Sequence, residues 1–268
     1  MRADIYLVTE GHTRSREAAR TLISAGLVML DGQKVVKPSQ PVDEGAAHEV
    51  VISRGDENRY VSRGGLKLEA ALAAAGLDVT GLRCVDIGAS SGGFTDCLLQ
   101  HGAAQVFALD SGHGQLAASL ASDARVVNIE GFNARQLCDG GRGDIPCDLD
   151  MAVMDVSFIS QTYILPGIPP LLRDGGAVVS LIKPQFEVGR SGLGKGGIVR
   201  DEQRRAEAIL RVTSCAEAAG LGFVALMPSP ICGGDGNREY LLVARKGVAG
   251  EYPSAEEVAR LVREAGER

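Results

Sequence analysis

Tryptophan is absent from this 268-residue chain, aromatic residues make up only 4% of it, and only four histidines and six cysteines could serve as soft metal ligands. With 35 glycines and an apolar content of 45%, that scarcity of aromatics argues against a β-sandwich and for helices packed on a parallel sheet. No cysteine pair has the CxxC spacing, so Cys84, Cys97, Cys138, Cys147, Cys215 and Cys232 read as reduced thiols. His12, His48, His101 and His113 lack paired ligand spacing, which argues against a zinc site. No apolar run approaches the roughly 20 residues that span a bilayer, and no basic start leads into one, so a cytoplasmic protein is expected. An excess of positive charge is missing too. The net charge is -6, which on the sum alone disfavours a nucleic-acid partner. Arg14, Arg16, Arg20, Lys34, Lys37, Arg59, Arg63 and Lys67 nevertheless gather in the first quarter, among Glu10, Glu17, Asp43, Glu44, Asp56 and Glu57.

What is present is an apolar run ending in an acid and breaking into small residues: Val85-Asp86-Ile87-Gly88-Ala89-Ser90-Ser91-Gly92-Gly93-Phe94-Thr95. It reads as strand, ligand-binding turn and helix, because Gly88, Gly92 and Gly93 expose bare backbone and accept angles closed to other residues. The dinucleotide fingerprint wants glycine where Ser90 stands, so the turn points to a nucleoside cofactor of another kind.

Upstream, Ser15 is an N-cap for a helix to Ala25 closed by Gly26. Leu27 to Leu30 and Val35-Val36 form a hairpin about Asp31-Gly32, and Glu49 to Ile52 completes a small α/β unit. The polar stretch from Ser53 to Asn58 places a boundary near residue 58, with a linker over 59–64 and a second domain over 65–268. There, strand-like runs begin at Cys84, Val106, Val126, Met151, Val178, Val224 and Tyr240, alternating with helical patterns. They predict a doubly wound, seven-stranded sheet. Pro228 to Arg238 has no helical period, so the last two strands form a hairpin and the seventh runs antiparallel.

Ligands of such sheets lie at the carboxyl ends of the strands. Asp110 stands where a carboxylate would meet ribose hydroxyls, with a helix N-cap as the alternative. Asn133 lies beyond the third strand. Asp155 and Lys183 each interrupt an apolar run, which calls for ion pairing or catalysis. Phe158 either stacks on a base or packs in the core.

Taken in order, Arg14-Ser15-Arg16, Asp31-Gly32, Val36-Lys37-Pro38, Val61 to Leu68, Asp86 to Thr95, Asp155 to Ser160, Lys183 to Gly189 and Gly236 to Tyr240 resemble the TlyA, or hemolysin A, family of ribosomal RNA 2'-O-methyltransferases. The match runs almost end to end. The resemblance implies a small S4-like RNA-binding domain followed by a Rossmann-like class I methyltransferase domain that uses S-adenosylmethionine. It also implies a catalytic tetrad of Lys67, Asp155, Lys183 and Glu239, and a serine in the glycine loop, here Ser90; within that tetrad, desolvation and the nearby positive charges of Lys67 and the sulfonium suit Lys183 to act as general base. Cofactor contacts are expected from Asp86, Gly88, Ala89, Ser90, Gly92, Gly93, Phe94, Thr95, Asp110, Asn133 and Phe158. Ribosomal RNA contacts are expected from Arg14, Arg16, Arg20, Lys34, Lys37 and Arg63. The departure from the family is the low positive charge of the N-terminal domain. Two rivals are a membrane-active hemolysin, which would need an amphipathic or spanning segment, and a noncatalytic RNA-binding or ribosome-assembly factor, which would not need four charged groups at strand ends.

Overall fold

The computed structural model describes residues 1–13, 15–24, 26–46, 48–52, 59–141, 143–189 and 192–266, which group into two compact units, Met1–Arg59 and Tyr60–Arg268.

The first unit holds helices α1 (Ala3–Thr9) and α2 (Arg16–Ser24) and a three-stranded antiparallel sheet of β1 (Val28–Leu30), β2 (Gln33–Lys34) and β3 (Val50–Ile52), with β1 in the middle. Ser15 Oγ accepts the Ala18 amide at 3.2 Å, the expected cap. Asp31 (φ 50°) and Gly32 (φ 74°) both take left-handed angles, as a two-residue hairpin turn demands. The tight turn pairs Leu30 with Gln33 and Met29 with Lys34, so the returning strand precedes Val35-Val36, where the sequence placed it. Val35 is fully buried and Val36 largely exposed. Ala3, Leu7, Ala19, Ile23 and Val28 join Val35 in a small core.

In the second unit, α3 (Gly64–Ala75) precedes β4 (Arg83–Ile87), α4 (Gly93–Gln100), β5 (Gln105–Leu109), α5 (Ala118–Ala121), β6 (Val126–Ile129), β7 (Leu149–Met154), β8 (Leu172–Ile182) and α6 (Pro184–Glu187). Helix α7 (Glu202–Ala218), β9 (Leu221–Pro228), β10 (Tyr240–Lys246) and α8 (Ala255–Gly266) complete it. The sheet order is β6-β5-β4-β7-β8-β10-β9, with β10 alone antiparallel, as the irregular connection predicted. Buried apolar residues cover both faces, Val85, Met154 and Ile209 among one set and Leu68, Leu98 and Val179 among the other.

The stretch 59–64 read as a linker is mostly the approach to a helix: Tyr60 is buried against Gly65, and α3 begins at Gly64. Strand β8 starts six residues before Val178, because Gly175 and Gly176 hide its first half from an apolar pattern while β7 shifts register between Leu149 and Met151. Strands β4 and β7 are neighbours from which the chain winds outward in opposite directions, so the crevice beyond their carboxyl ends is the switch point where such sheets take ligands.

Candidate active site

Three segments meet at that crevice. The turn after β4 runs from Gly88 to Gly92, and α3 lies against it because Gly93 lets the backbones of Gly64 and Gly65 come close: a Cβ at Gly93 would stand 3.2 Å from the Gly65 nitrogen. Gly88 (φ 86°) is required twice over, since a Cβ there would also fall 2.7 Å from the Asp155 carbonyl oxygen. The bare backbone at Gly88, Gly92 and Gly93 thus accommodates other parts of the protein, Gly92 facing Leu116 and Leu120. The sequence had assigned all three to a ligand. Ser90 takes φ 48°, and its amide donates to Asp110 Oδ2 at 2.8 Å, so a serine follows a path that glycine more often supplies.

Asp155 follows β7 and Lys183 follows β8. The ammonium Nζ of Lys183 stands 2.5 Å from Asp155 Oδ1 and donates to Ser157 Oγ at 2.9 Å. Lys67, on the buried side of α3, is ion-paired with Glu239, the residue just before β10. Because β10 runs backwards, its first residue Tyr240 pairs with Ile182, and Glu239 arrives at the rim where the parallel strands end. Lys67 and Glu239 are 7% and 4% exposed, so either charge alone would be costly and the pair must be kept whole. A cavity of about 290 Å³ opens onto Lys67, Asp155, Ser157 and Lys183, with Arg63 at its exposed edge and Ile231 and Cys232 opposite. Three tetrad positions therefore line one cavity, and Glu239 joins them through Lys67.

A second cavity, of about 470 Å³, shares Gly88, Ser90, Asp155, Ser157 and no other residue with the first. Its walls include Asp110, Asn133 and Phe158, and also Ser111, Gln115, Phe132, Val156 and Ile159, which the sequence left unassigned. The Asp110 carboxylate caps no helix: it gathers the amides of Ser90 and, at 2.7 Å, Gly112. Asn133 caps the 3-10 turn Ala134–Asp139 through the Arg135 amide. Phe158 (φ 65°) projects with 91% of its surface exposed, its ring 5.1 Å from that of Phe186. Left-handed backbone on a bulky residue costs on the order of 1–3 kcal/mol.

Six expected cofactor residues sit elsewhere. Ala89, Gly93 and Phe94 face the tetrad cavity, and Gly92 faces the core. Asp86 and Thr95 line neither cavity. Thr95 Oγ1 donates to Asp86 Oδ2 at 2.7 Å beneath the turn, while Oδ1 is buried without a partner. Burial pushes the Asp86 carboxyl up to about 7, against the Thr95 hydrogen bond, which acts to lower it.

The two arginines of α2 are not free solvated charges. Arg16 Nη2 at 3.3 Å and Arg20 Nε at 3.0 Å both reach Asp4 Oδ2, and Arg2 Nε reaches Oδ1 at 2.9 Å. Asp4 is fully buried beneath three guanidiniums whose side chains are about half exposed, and they hold its carboxyl well below the usual range, the Arg2 hydrogen bond most of all. Nothing in the sequence near Asp4 and Arg2 marked them. Lys34 and Lys37 are exposed on the hairpin and the segment after it; Arg14 lies outside the described residues. Among the described residues no cluster of His, Cys, Asp and Glu could hold a metal, and no helix is long and apolar enough to cross a membrane.

A mixed sheet with one reversed strand, a glycine turn and a carboxylate at the ends of its first two strands define a methyltransferase domain that uses S-adenosylmethionine, and residues 60–246 match the model of the FtsJ-like methyltransferases. Residues 1–47 match the S4 domain. The chain belongs to the TlyA family. It is 45% identical to the 16S/23S rRNA (cytidine-2'-O)-methyltransferase TlyA of Mycobacterium tuberculosis, over 91% of this chain and 89% of the relative. It is also 45% identical to hemolysin A of Brachyspira hyodysenteriae, over 90% and 98% of the two. A solved Streptococcus thermophilus structure described as a hemolysin superposes with a TM-score of 0.73 at 40% identity, covering 100% of this chain and 96% of that one.

Proposed function

We propose that this protein transfers a methyl group from S-adenosylmethionine to the 2'-hydroxyl of a cytidine in ribosomal RNA. The observation that carries the reading is the convergence of Lys67, Asp155 and Lys183 on one cavity, with Glu239 paired to Lys67, and its junction at Gly88, Ser90, Asp155 and Ser157 with a second cavity of nucleoside size. The second cavity fits the cofactor. Asp110 is held at the carboxyl end of β5, where its oxygens would meet ribose hydroxyls, and Phe132, Val156 and Ile159 would offer apolar walls to an adenine. Ser90 and Gly88 border the path toward the tetrad. When bound, the cofactor supplies an electrophilic methyl carbon.

The chain's own groups prepare the nucleophile. In its neutral form Lys183 takes the proton of the ribose hydroxyl, while Asp155 and Ser157 fix the direction in which Nζ presents its lone pair. Lys67, anchored by Glu239, places a positive charge beside the oxygen as negative charge develops on it. Holding hydroxyl and methyl donor in two adjoining cavities supplies the remaining advantage, that of proximity. Phe158, exposed at the rim, is a stacking surface for a base unpaired from the RNA.

The three arginines around Asp4 give the first unit its RNA-binding character despite the negative total. One carboxylate neutralises one of three guanidiniums, leaving an excess of two charges in a fixed fan suited to phosphate oxygens. Lys34 and Lys37 extend that positive surface, and Arg63 stands at the tetrad cavity as a contact for the target strand.

Replacing Lys183 tests the reading. Lys183→Ala should bind S-adenosylmethionine with unchanged affinity by calorimetry and lose methyl transfer to ribosomal RNA by roughly 10²- to 10⁴-fold, the usual worth of a general base. Undiminished turnover would remove Lys183 from that role. A noncatalytic assembly factor would show no methyl transfer in the native protein either.

A further inference from the structure

Beyond the tetrad lies a buried acid that the mechanism does not use. Glu187 closes α6, four residues after Lys183, and is 3% exposed. Burial raises its carboxyl above the usual range. Its oxygens turn away from its own element: Oε2 accepts the Ser160 hydroxyl at 2.5 Å and Oε1 the Gln161 amide at 2.9 Å. Both donors belong to the segment that leaves β7 through Asp155, Ser157 and Phe158. The Gln161 side chain continues the tie, donating to the Leu181 carbonyl and accepting from Ser180 Oγ, both on β8. On the Glu187 side, Arg211 of α7 donates to its carbonyl oxygen at 2.5 Å.

The segment 155–161 is thus fastened at both ends. At its start the Asp155 amide donates to the Ile87 carbonyl at 3.0 Å; at its finish stands Glu187. Between them Phe158 holds a left-handed backbone that a bulky side chain resists, and its exposed ring, touching Phe186, has little packing to keep it there. Such a conformation persists only where its surroundings over-determine it. One residue before it, Ser157 receives the Lys183 ammonium.

We infer that Glu187 is a positioning residue: it straps the Asp155–Gln161 segment into its strained path and so sets Asp155 and Ser157 against Lys183 and projects Phe158 from the rim. A buried carboxylate with two donors from consecutive residues suits this task because it fixes the direction of the chain as well as its distance. The inference rests on the methyl-transfer reading for its effect on rate, and on the fold alone for its effect on the loop.

The test is a double-mutant cycle with glycine, for which the left-handed angle is free of strain. Glu187→Gln should lower kcat about tenfold, with the KM for S-adenosylmethionine within about threefold and the melting temperature little changed, since outer-sphere partners of catalytic groups are commonly worth 10- to 100-fold. On a Phe158→Gly background the same substitution should change kcat by less than about twofold. In parallel, amide hydrogen exchange at Asp155, whose amide is bonded to the Ile87 carbonyl and which Glu187 does not touch directly, should quicken in Glu187→Gln and stay near its parent in the Phe158→Gly background. Ser160→Ala, which removes one of the two straps, should show the same pattern in milder form if Glu187→Gln folds poorly. Equal losses in both backgrounds, or unchanged exchange at Asp155, would overturn the strap. Failure of methyl transfer as the activity would leave the exchange pattern intact, which separates the two readings.

Discussion

Replacing Asp4 by asparagine removes one negative charge from a surface proposed to hold RNA, and simple charge counting says that RNA should then bind more tightly. The geometry says the reverse. Three guanidiniums converge on this one buried carboxylate at 2.9 to 3.3 Å, and without it they repel one another and disperse. Each phosphate neutralised contributes about 0.7 to 0.9 to the slope of log affinity against log salt, so the fan's excess of two charges accounts for roughly 1.4 to 1.8 units of slope, or roughly 7- to 12-fold in affinity between 50 and 200 mM salt. Losing one or two of its contacts should lower the slope by about 1 to 2 units; pure charge gain would raise it by up to about 0.9. The assay is a salt titration of binding to unmodified ribosomal subunits, followed by anisotropy of labelled protein, with S-adenosylmethionine binding as the check that the second unit is intact. Arg16→Lys and Arg20→Lys, which keep the charge and lose the planar fork, guard against a misfolded Asp4→Asn. Equal or tighter binding by Asp4→Asn at an undiminished slope would refute the fan.

Two further outcomes concern the methyltransferase unit. The Asp86 carboxyl titrates near 7 in the folded chain against 3.8 ordinarily, so the native state binds more protons than the unfolded one between these values and stability falls as pH rises through that window. Its contribution is about 4 kcal/mol at most, and denaturant melts at pH 4.5 and 8 should show Asp86→Asn free of that part of the slope; parallel pH profiles would contradict it. Lys67→Met leaves Glu239 buried and unpaired and should cost about 3–5 kcal/mol of stability, much of it restored by adding Glu239→Leu; an unrestored double variant would show that the pair's partners, rather than its charge balance, hold the rim together.

The fold was legible where periodicity and punctuation agree: the Asp31-Gly32 hairpin, the alternating strands, and the irregular Pro228 to Arg238 link that reverses β10. Helix α1 escaped because seven residues with Ala3, Tyr6 and Leu7 as its apolar face give too few turns for a period to show. In the site, charges that interrupt apolar strands were visible as such, which is how Asp155 and Lys183 could be found. Lys67 and Glu239 were read only through the family resemblance, since neither follows a parallel strand. Ser157 and Glu187 act through partners remote in sequence, as Asp4 does with Arg16 and Arg20, and no local spacing encodes such partners. The glycine turn does more than its sequence suggested: its missing side chains also make room for Asp155, Leu120 and α3, while Gly88 lines both cavities.

The reversed strand also orders events in time. Strand β10 inserts between β8 and β9, and Glu239 precedes it, so a chain stopped short of Tyr240 has neither the sheet's neighbour for β8 nor a settled carboxylate opposite Lys67. A protein proposed to modify ribosomes is itself built on one. Its reactive centre is completed only by Glu239, so synthesis must pass Tyr240 before the emerging polypeptide can act on the particle that is making it.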